Sequence, residues 1–85
     1  MRIAINISEL SPGSVAIVVG YSRVYGGYIG KLISHGLLPG KDFVVLSPAM
    51  PQGAVQIMLQ EKIITLSKPE VNALCIDLFE EDNDY

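Results

Sequence analysis

The sequence contains one cysteine, one histidine and no tryptophan in 85 residues. Because Cys75 stands alone, it cannot form the internal disulfide that is typical of small secreted domains. The longest apolar run is Val15 to Val19, which is far shorter than the ~20 residues that cross a bilayer. Met1-Arg2 leads into an alternating apolar pattern, whereas a signal peptide has a continuous one. These absences predict a soluble cytoplasmic protein.

The scarcity of histidine and cysteine also limits metal chemistry. His35 and Cys75 are distant in sequence, whereas a closed zinc site takes four ligands in close pairs. We therefore expect His35 to lie at a helix end, where it suits the negative pole of the helix dipole. Cys75 is expected to be a small buried hydrophobe. No cofactor or metal site is predicted, and the open alternative is an oxygen-ligand site made of carboxylates in the C-terminal tail.

The chain also lacks the motifs of a nucleotide-binding protein or an enzyme. A phosphate loop requires G-x-x-x-x-G-K-[ST], and here Gly30-Lys31 is followed by Leu32. The serines have one histidine to serve as a base, and no nucleophile elbow presents any of them. The sequence therefore predicts a binding protein and not an enzyme.

Size and charge favour one small domain with an acidic end. A chain of 85 residues with 49% hydrophobic residues can bury a single core. The formal net charge is −3, but five of the nine acids lie in residues 77–85. The rest of the chain lacks the strong basic field of nucleic-acid-binding proteins. We predict one domain over residues 1–80, a disordered acidic tail over residues 81–85, and no nucleic-acid partner.

Two Pro-Gly pairs each precede an apolar run. The pairs are Pro12-Gly13, before residues 15–19, and Pro39-Gly40, before residues 43–47. Proline presets φ for the second position of a turn, and glycine adopts the positive φ that a type II turn requires next. The pattern predicts that each Pro-Gly turn begins a strand, the first of which ends at Gly20.

A short helical pattern lies between the two turns. Its apolar residues follow the spacing i, i+3, i+4 and i+8 on one helix face: Ile29, Leu32, Ile33 and Leu37. Gly36 is suited to the left-handed C-terminal cap. We predict a helix over residues 28–35 and a loop over residues 21–27, since two consecutive glycines disfavour an earlier helix start.

The second half of the chain predicts a hairpin, a helix and a last strand. Alternation over residues 55–60 and an apolar run over residues 63–66 flank Glu61-Lys62, which predicts a tight hairpin at that pair. Ser67 and Glu70 form the spacing of a capping box, which begins a helix that ends near Leu74. Residues 76–79 can then form the closing strand.

At the start of the chain, Ile3, Ile5 and Ile7 alternate with other residues in the period of a strand. This strand could pair at the edge of the sheet or with a neighbouring molecule. Five or six short strands and two short helices predict a mainly β fold. We predict a small SH3-like β-barrel and not a doubly wound α/β sheet, which needs longer crossover helices.

Several motifs occur together in a fixed order: L-x-P-G-x-x-A-x-V-V-G, a short helix, H-G-L-x-P-G-x-x-F-x-V and S-x-x-E-[AV]-x-x-L. This order, from Ile7 to Glu80, resembles the FeoA family of ferrous-iron-transport accessory proteins. The resemblance implies a partner, the FeoB membrane transporter, whose cytosolic region carries the GTPase. Similar barrels are C-terminal modules of iron-dependent repressors, so an adaptor with another partner is the alternative.

Aromatic and arginine side chains are enriched where protein interfaces are anchored. The candidate partner-binding residues are Tyr21, Arg23, Tyr25, Tyr28 and Lys31, together with Met50 in a proline-flanked, exposed loop. The alternative interpretation is that the tyrosines cover the open end of the barrel. Direct membrane insertion is not predicted, and self-association is left open.

Overall fold

A computed structural model describes residues 6–78 of the chain. The five strands in this part are β1 Val15–Tyr21, β2 Asp42–Ser47, β3 Val55–Leu59, β4 Lys62–Leu66 and β5 Leu74–Leu78. The two α-helices are α1 Ile29–Ser34 and α2 Lys68–Ala73. Three 3₁₀ segments also occur, at Ile7–Glu9, Arg23–Tyr28 and Pro51–Gly53.

The strands form one antiparallel sheet in the order β4-β3-β2-β1-β5. The predicted mainly β, SH3-like fold is confirmed. Among the described residues, β4 and β5 lie at opposite edges of the sheet and do not pair with each other. The sheet is therefore open, and the word barrel applies to it only loosely.

The strands alternate between a buried inner face and a more exposed outer face, as a pleated sheet with one buried side does. The inner-face side chains of the sheet join apolar residues of both helices in one core. The largest fully buried members are Phe43, Ile7, Leu32, Leu37, Ile57, Leu66, Ile76, Val18, Val45 and Val55. Burial of an aliphatic or aromatic side chain of this size contributes about 1.5–3 kcal/mol.

Both predicted Pro-Gly turns are confirmed. Gly13 and Gly40 have φ angles of 90° and 91°, which is the left-handed value that a type II turn places after proline. The closing bonds run from Ser14 N–H to the Ser11 carbonyl at 3.1 Å and from Lys41 N–H to the Leu38 carbonyl at 3.0 Å. Each turn leads directly into β1 or β2.

The two turns are also bonded to each other's strands. Gly13 N–H donates to the Val45 carbonyl at 2.7 Å, and Gly40 N–H donates to the Val18 carbonyl at 2.8 Å. Each valine donates its own N–H, also at 2.8 Å, to the carbonyl of the residue that follows the glycine. Each turn is therefore hydrogen-bonded to the strand that follows the other turn.

The end of α1 matches the predicted glycine cap. Gly36 has a φ of 93°, its N–H donates to the Ile33 carbonyl at 2.9 Å, and Leu37 N–H donates to the Leu32 carbonyl at 3.0 Å. This bond pair is a Schellman motif. The predicted apolar face is wrong in one member, because Ile33 is 46% exposed. The helix ends at Ser34, and so short a helix can direct only a narrow stripe inward.

The first strand is longer than predicted. It does not end at Gly20 but continues to Tyr21. Val18 pairs with Ile76 and Gly20 pairs with Cys75, which leaves Val19 as the extra residue of a β-bulge. Val19 follows the buried Val18 and therefore faces the outer side of the sheet, where it is 54% exposed.

The predicted N-terminal strand is not seen at Ile7. That residue lies in the 3₁₀ segment Ile7–Glu9 and is 1% exposed. Asn6 caps this segment by accepting a bond from Ser8 N–H at 2.9 Å. Ile3 and Ile5 lie outside the described residues.

The second half of the chain has the predicted order of elements with shifted boundaries. Gln60 and Glu61 join β3 to β4, one residue earlier than the predicted Glu61-Lys62 connection. Their φ angles of 49° and 71° are the values of a two-residue type I′ hairpin. Ser67 and Glu70 form the capping box of α2. β5 follows α2 without a linker and begins at Leu74. Residue 79 and the predicted tail, residues 81–85, lie outside the described residues.

Candidate functional site

The segment after β1 differs from the predicted loop. The 3₁₀ segment Arg23–Tyr28 leads directly into α1, and it bends at Tyr25, where φ is −112° and ψ is 38°. Tyr25 N–H donates to the Ser22 carbonyl at 3.2 Å. Paired glycines disfavour a long helix but are compatible with single 3₁₀ turns, which is why the loop prediction was wrong.

Two hydrogen bonds fix the base of this segment to the rest of the fold. Ser22 N–H donates to the carbonyl of Ala73, the last residue of α2, at 2.8 Å. Tyr21 Oη donates to the Leu37 carbonyl, just past α1, at 2.6 Å. The segment therefore begins from a point that is tied to the ends of both helices.

The structure divides the predicted binding residues into two groups. Tyr21, Tyr25 and Tyr28 are half-buried and pack against the core. Arg23 and Lys31 are exposed. The tyrosine rings thus form the base of the candidate surface, and the cationic side chains form its solvent side.

Sequence reasoning missed the most exposed apolar residue of this region. Val24 is 85% exposed, beside Arg23 and ahead of Gly26 and Gly27, which are exposed as well. No sequence signal marks Val24, because a valine in an apolar-rich chain is ordinarily assigned to the core. We call the exposed set Arg23, Val24, Gly26, Gly27 and Lys31 the 3₁₀ surface.

The structure does not bring Met50 to the 3₁₀ surface. β1 and β2 are antiparallel, so their C-terminal ends lie at opposite ends of the strand pair. The C-terminal end of β1 leads to Arg23, whereas that of β2 leads to Met50 at the other end. Met50 is half-buried, not exposed as predicted, and its N–H donates to the Ala54 carbonyl at 3.0 Å. The candidate interaction site is therefore the 3₁₀ surface alone.

The predicted location of His35 at a helix end is confirmed, since it is the C-cap of α1. The structure adds a partner that sequence reasoning missed. His35 Nε2 lies 3.3 Å from Oε2 of Glu70, and Glu70 is only 7% exposed. This contact connects the end of α1 to the beginning of α2.

The pKa of Glu70 lies below its ordinary value of 4.5. Burial raises it, but the hydrogen bonds from Ser67 and the neighbouring imidazole of His35 lower it by more. The Ser67 N–H and Oγ both donate to Oε1 of Glu70, at 3.1 and 2.8 Å. The carboxylate is therefore held in its charged form by its own helix cap.

Other chemistry in the described residues is limited. No group of three His, Cys, Asp or Glu side chains within residues 6–78 is arranged to hold a metal ion. Cys75 is half-buried, and so is less buried than predicted. Neither helix of this part of the chain has the length and hydropathy of a membrane span.

The open antiparallel sheet with two short helices defines a small SH3-like domain, which carries the exposed 3₁₀ surface. The family model described as the FeoA domain matches residues 5–78, and the chain belongs to that family. A search of curated proteins found no match.

Similar solved structures agree with this assignment. An iron uptake regulatory protein (FeoA) is 26% identical, with a TM-score of 0.74 over 91% of this chain and 99% of that one. A FeoA-like protein from Clostridium acetobutylicum is 19% identical, with a TM-score of 0.78 over 100% and 98% of the two chains.

The same fold also occurs within larger proteins. A manganese-dependent transcriptional repressor is 15% identical, with a TM-score of 0.79 over 93% of this chain but 38% of its own length. At this identity the similarity shows the fold alone. A domain of this shape therefore exists both as a small FeoA protein and as one module of a metal-dependent repressor.

Proposed function

We propose that this chain is a cytoplasmic accessory protein of ferrous iron uptake, which binds the cytosolic side of a FeoB transporter and has no catalytic activity of its own. Membership of the FeoA family supports this proposal most directly. A similar structure is described as an iron uptake regulatory protein. The remaining support is the 3₁₀ surface, which has the character of a protein contact.

The 3₁₀ surface would bind by inserting Val24 into an apolar depression of the transporter. Val24 is 85% exposed, and exposed apolar side chains surrounded by polar ones often mark protein contacts. Arg23 and Lys31 are also exposed and would pair with acidic side chains of the partner. Because the tyrosine base is packed against the core, little conformational entropy is lost on binding.

Regulation would follow from unequal affinity for the conformations of the transporter. A bound protein shifts a conformational equilibrium only by the difference between its affinities for the two states. We therefore expect the affinity of this chain for the GTPase region to depend on the bound nucleotide.

Isothermal titration calorimetry with the cytosolic GTPase region of a FeoB transporter from the same cell tests the proposal. The titration is made without nucleotide, with GDP and with a non-hydrolysable GTP analogue. Val24→Asp is expected to weaken binding by about tenfold or more, since it places a charge in the apolar contact. Val19→Asp is the matched control, because Val19 is also exposed but lies on the bulge of β1.

The alternative function is an adaptor that binds another protein. The observation that favours it is the shared fold with a module of the manganese-dependent repressor. Absence of binding to the GTPase region in every nucleotide state would contradict transporter regulation through that region and favour the adaptor.

A further inference from the structure

The edge strand β4 has backbone groups that point away from the sheet. The two-residue hairpin makes its flanking residues, Leu59 and Lys62, a hydrogen-bonded pair. Bonded and non-bonded pairs alternate along an antiparallel ladder, so Ile63 and Thr65 occupy non-bonded positions opposite β3. Their N–H and C=O groups therefore face outward, at an edge that no other strand of residues 6–78 covers.

A row of apolar side chains on the outer face of the sheet ends at this same edge. Val15 pairs with Val44, Val44 with Met58, and Met58 with Ile63. Exposure increases along the row, because the two valines are half-buried, Met58 is 37% exposed and Ile63 is 60% exposed. The apolar row is thus most exposed at the edge where backbone N–H and C=O groups of β4 also face outward.

We propose that β4 pairs with β4 of a second copy of this chain, antiparallel about a two-fold axis at Ile64. In this register Ile63 of each copy lies opposite Thr65 of the other. The two equivalent pairs are both of the bonded type and together make four N–H to carbonyl bonds. A shift of the register by two residues leaves one bonded pair within the limits of β4.

The side chains around β4 suit a second copy. Ile63 of one copy is the diagonal neighbour of Ile63 of the other, within reach of a long side chain at roughly 7–8 Å. The two apolar rows therefore meet at the axis. This self-complementarity commits the edge to a homodimer, and it does not depend on the transporter proposal.

Sedimentation equilibrium of the full chain, from micromolar to millimolar concentration, tests this dimer. We expect a concentration-dependent monomer to dimer equilibrium. Ile63→Lys should raise the dimer dissociation constant by about tenfold or more, because it removes the apolar contact and places two like charges on the diagonal. Val19→Lys is the control, since Val19 has a similar exposure of 54% but lies on an interior strand. It should leave the dissociation constant unchanged.

A second pair of variants tests the backbone contact. Thr65→Pro removes an N–H that faces away from β3, which an edge strand tolerates, and should weaken the dimer as strongly as Ile63→Lys. Thr65→Val keeps the N–H and should leave the dimer dissociation constant unchanged. Circular dichroism melting curves establish that each variant is folded.

Hydrogen exchange identifies what covers the edge. The amides of Ile63 and Thr65 should exchange fast in dilute solution and slowly at high concentration. Protection that is independent of concentration would show that the edge is covered within one chain and would overturn the proposal. A wild-type chain that is monomeric up to millimolar concentration would overturn it too, as would a dimer that is insensitive to Ile63→Lys and Thr65→Pro.

Discussion

The β1–β2 pair and the 3₁₀ segment Arg23–Tyr28 are adjacent in sequence but are held in different ways. In the β1–β2 pair, each Pro-Gly turn closes its own bond and is bonded to the opposite strand as well. The 3₁₀ segment is fixed at its base by Ser22 and Tyr21, and beyond that base its glycines and Val24 face solvent. Hydrogen bonds between turns and strands are concentrated in the β1–β2 pair, which we call the scaffold. Exposed side chains are concentrated in the 3₁₀ segment, which would contact a partner.

The difference shows how glycine acts in two opposite ways within one small domain. Gly13 and Gly40 occupy left-handed conformations that other residues adopt only with strain. Gly26 and Gly27 do not have positive φ, and a Cβ at either position would contact nothing within 4 Å. Glycine is required by the backbone in the scaffold, whereas in the 3₁₀ segment it only leaves space.

Gly40→Val is the substitution that we expect to destabilise the fold most. A β-branched residue at a φ of 91° is strained, and the change should cost about 3 kcal/mol of unfolding free energy. Thermal unfolding should show a melting temperature lower by roughly 10 °C or more. Gly30→Val is the control, because Gly30 lies in α1 without positive φ and with open space around it. A Gly40→Val chain as stable as the wild type would contradict the turn assignment.

The second test concerns Glu70, which caps α2 and also contacts His35 at the end of α1. The folded pKa of Glu70 is depressed, so its ionised form stabilises the fold above the unfolded value of 4.5, and this contribution is lost as pH falls through the folded pKa. Glu70→Gln should therefore cost about 1–2 kcal/mol near neutral pH.

Urea unfolding of the wild type and Glu70→Gln at about pH 7 and about pH 3 measures this difference. The gap between the two proteins should narrow at the lower pH, where Glu70 of the wild type becomes protonated. A gap that stays constant across this range would show that the charge of Glu70 does not contribute.

The third test improves a turn that lacks glycine. Gln60 and Glu61 adopt positive φ angles of 49° and 71°, which Asn-Gly adopts at lower cost. The double change Gln60→Asn with Glu61→Gly should stabilise the fold by about 1 kcal/mol. Urea unfolding should show a higher midpoint with an unchanged slope. A lower midpoint would contradict the type I′ assignment.

The smallest expected effect sharpens the comparison between the two regions. Gly27→Ala meets open space at an ordinary φ, so it should stabilise the fold by about 0.4–1 kcal/mol through the unfolded state. The same change at Gly13, where φ is 90°, should destabilise it. If Gly27→Ala and Gly13→Ala shift the melting temperature in the same direction, the distinction between required and permissive glycines is wrong.

Sequence alone predicted the features that depend on local chemistry. The two Pro-Gly turns, the Gly36 cap and the Ser67 capping box each involve residues at most five positions apart, so the local pattern contains all the participants. The bulge at Val19 and the bends of the 3₁₀ segment could not be predicted, because pairing with β5 and contact with α2 decide them.

The candidate site was predicted less well than the fold. Tyrosine content indicated residues 21–28 as a candidate, but it did not distinguish rings that pack against the core from side chains that face solvent. Val24, the most exposed apolar residue within residues 6–78, was missed because a valine in an apolar-rich chain is ordinarily assigned to the core. The contact between His35 and Glu70 was missed because the two residues are far apart in sequence, and only the packed helices bring them together.

The reciprocal bonds between the Pro-Gly turns and the opposite strands also bear on how the chain folds. Neither turn can complete its hydrogen bonds until the strand begun by the other turn has arrived, so the intervening helix and 3₁₀ segment must be enclosed in the same step. Closing that loop costs chain entropy before its contacts are gained. We expect both turns to form together in the transition state, and a fragment that contains only one of them to remain unfolded.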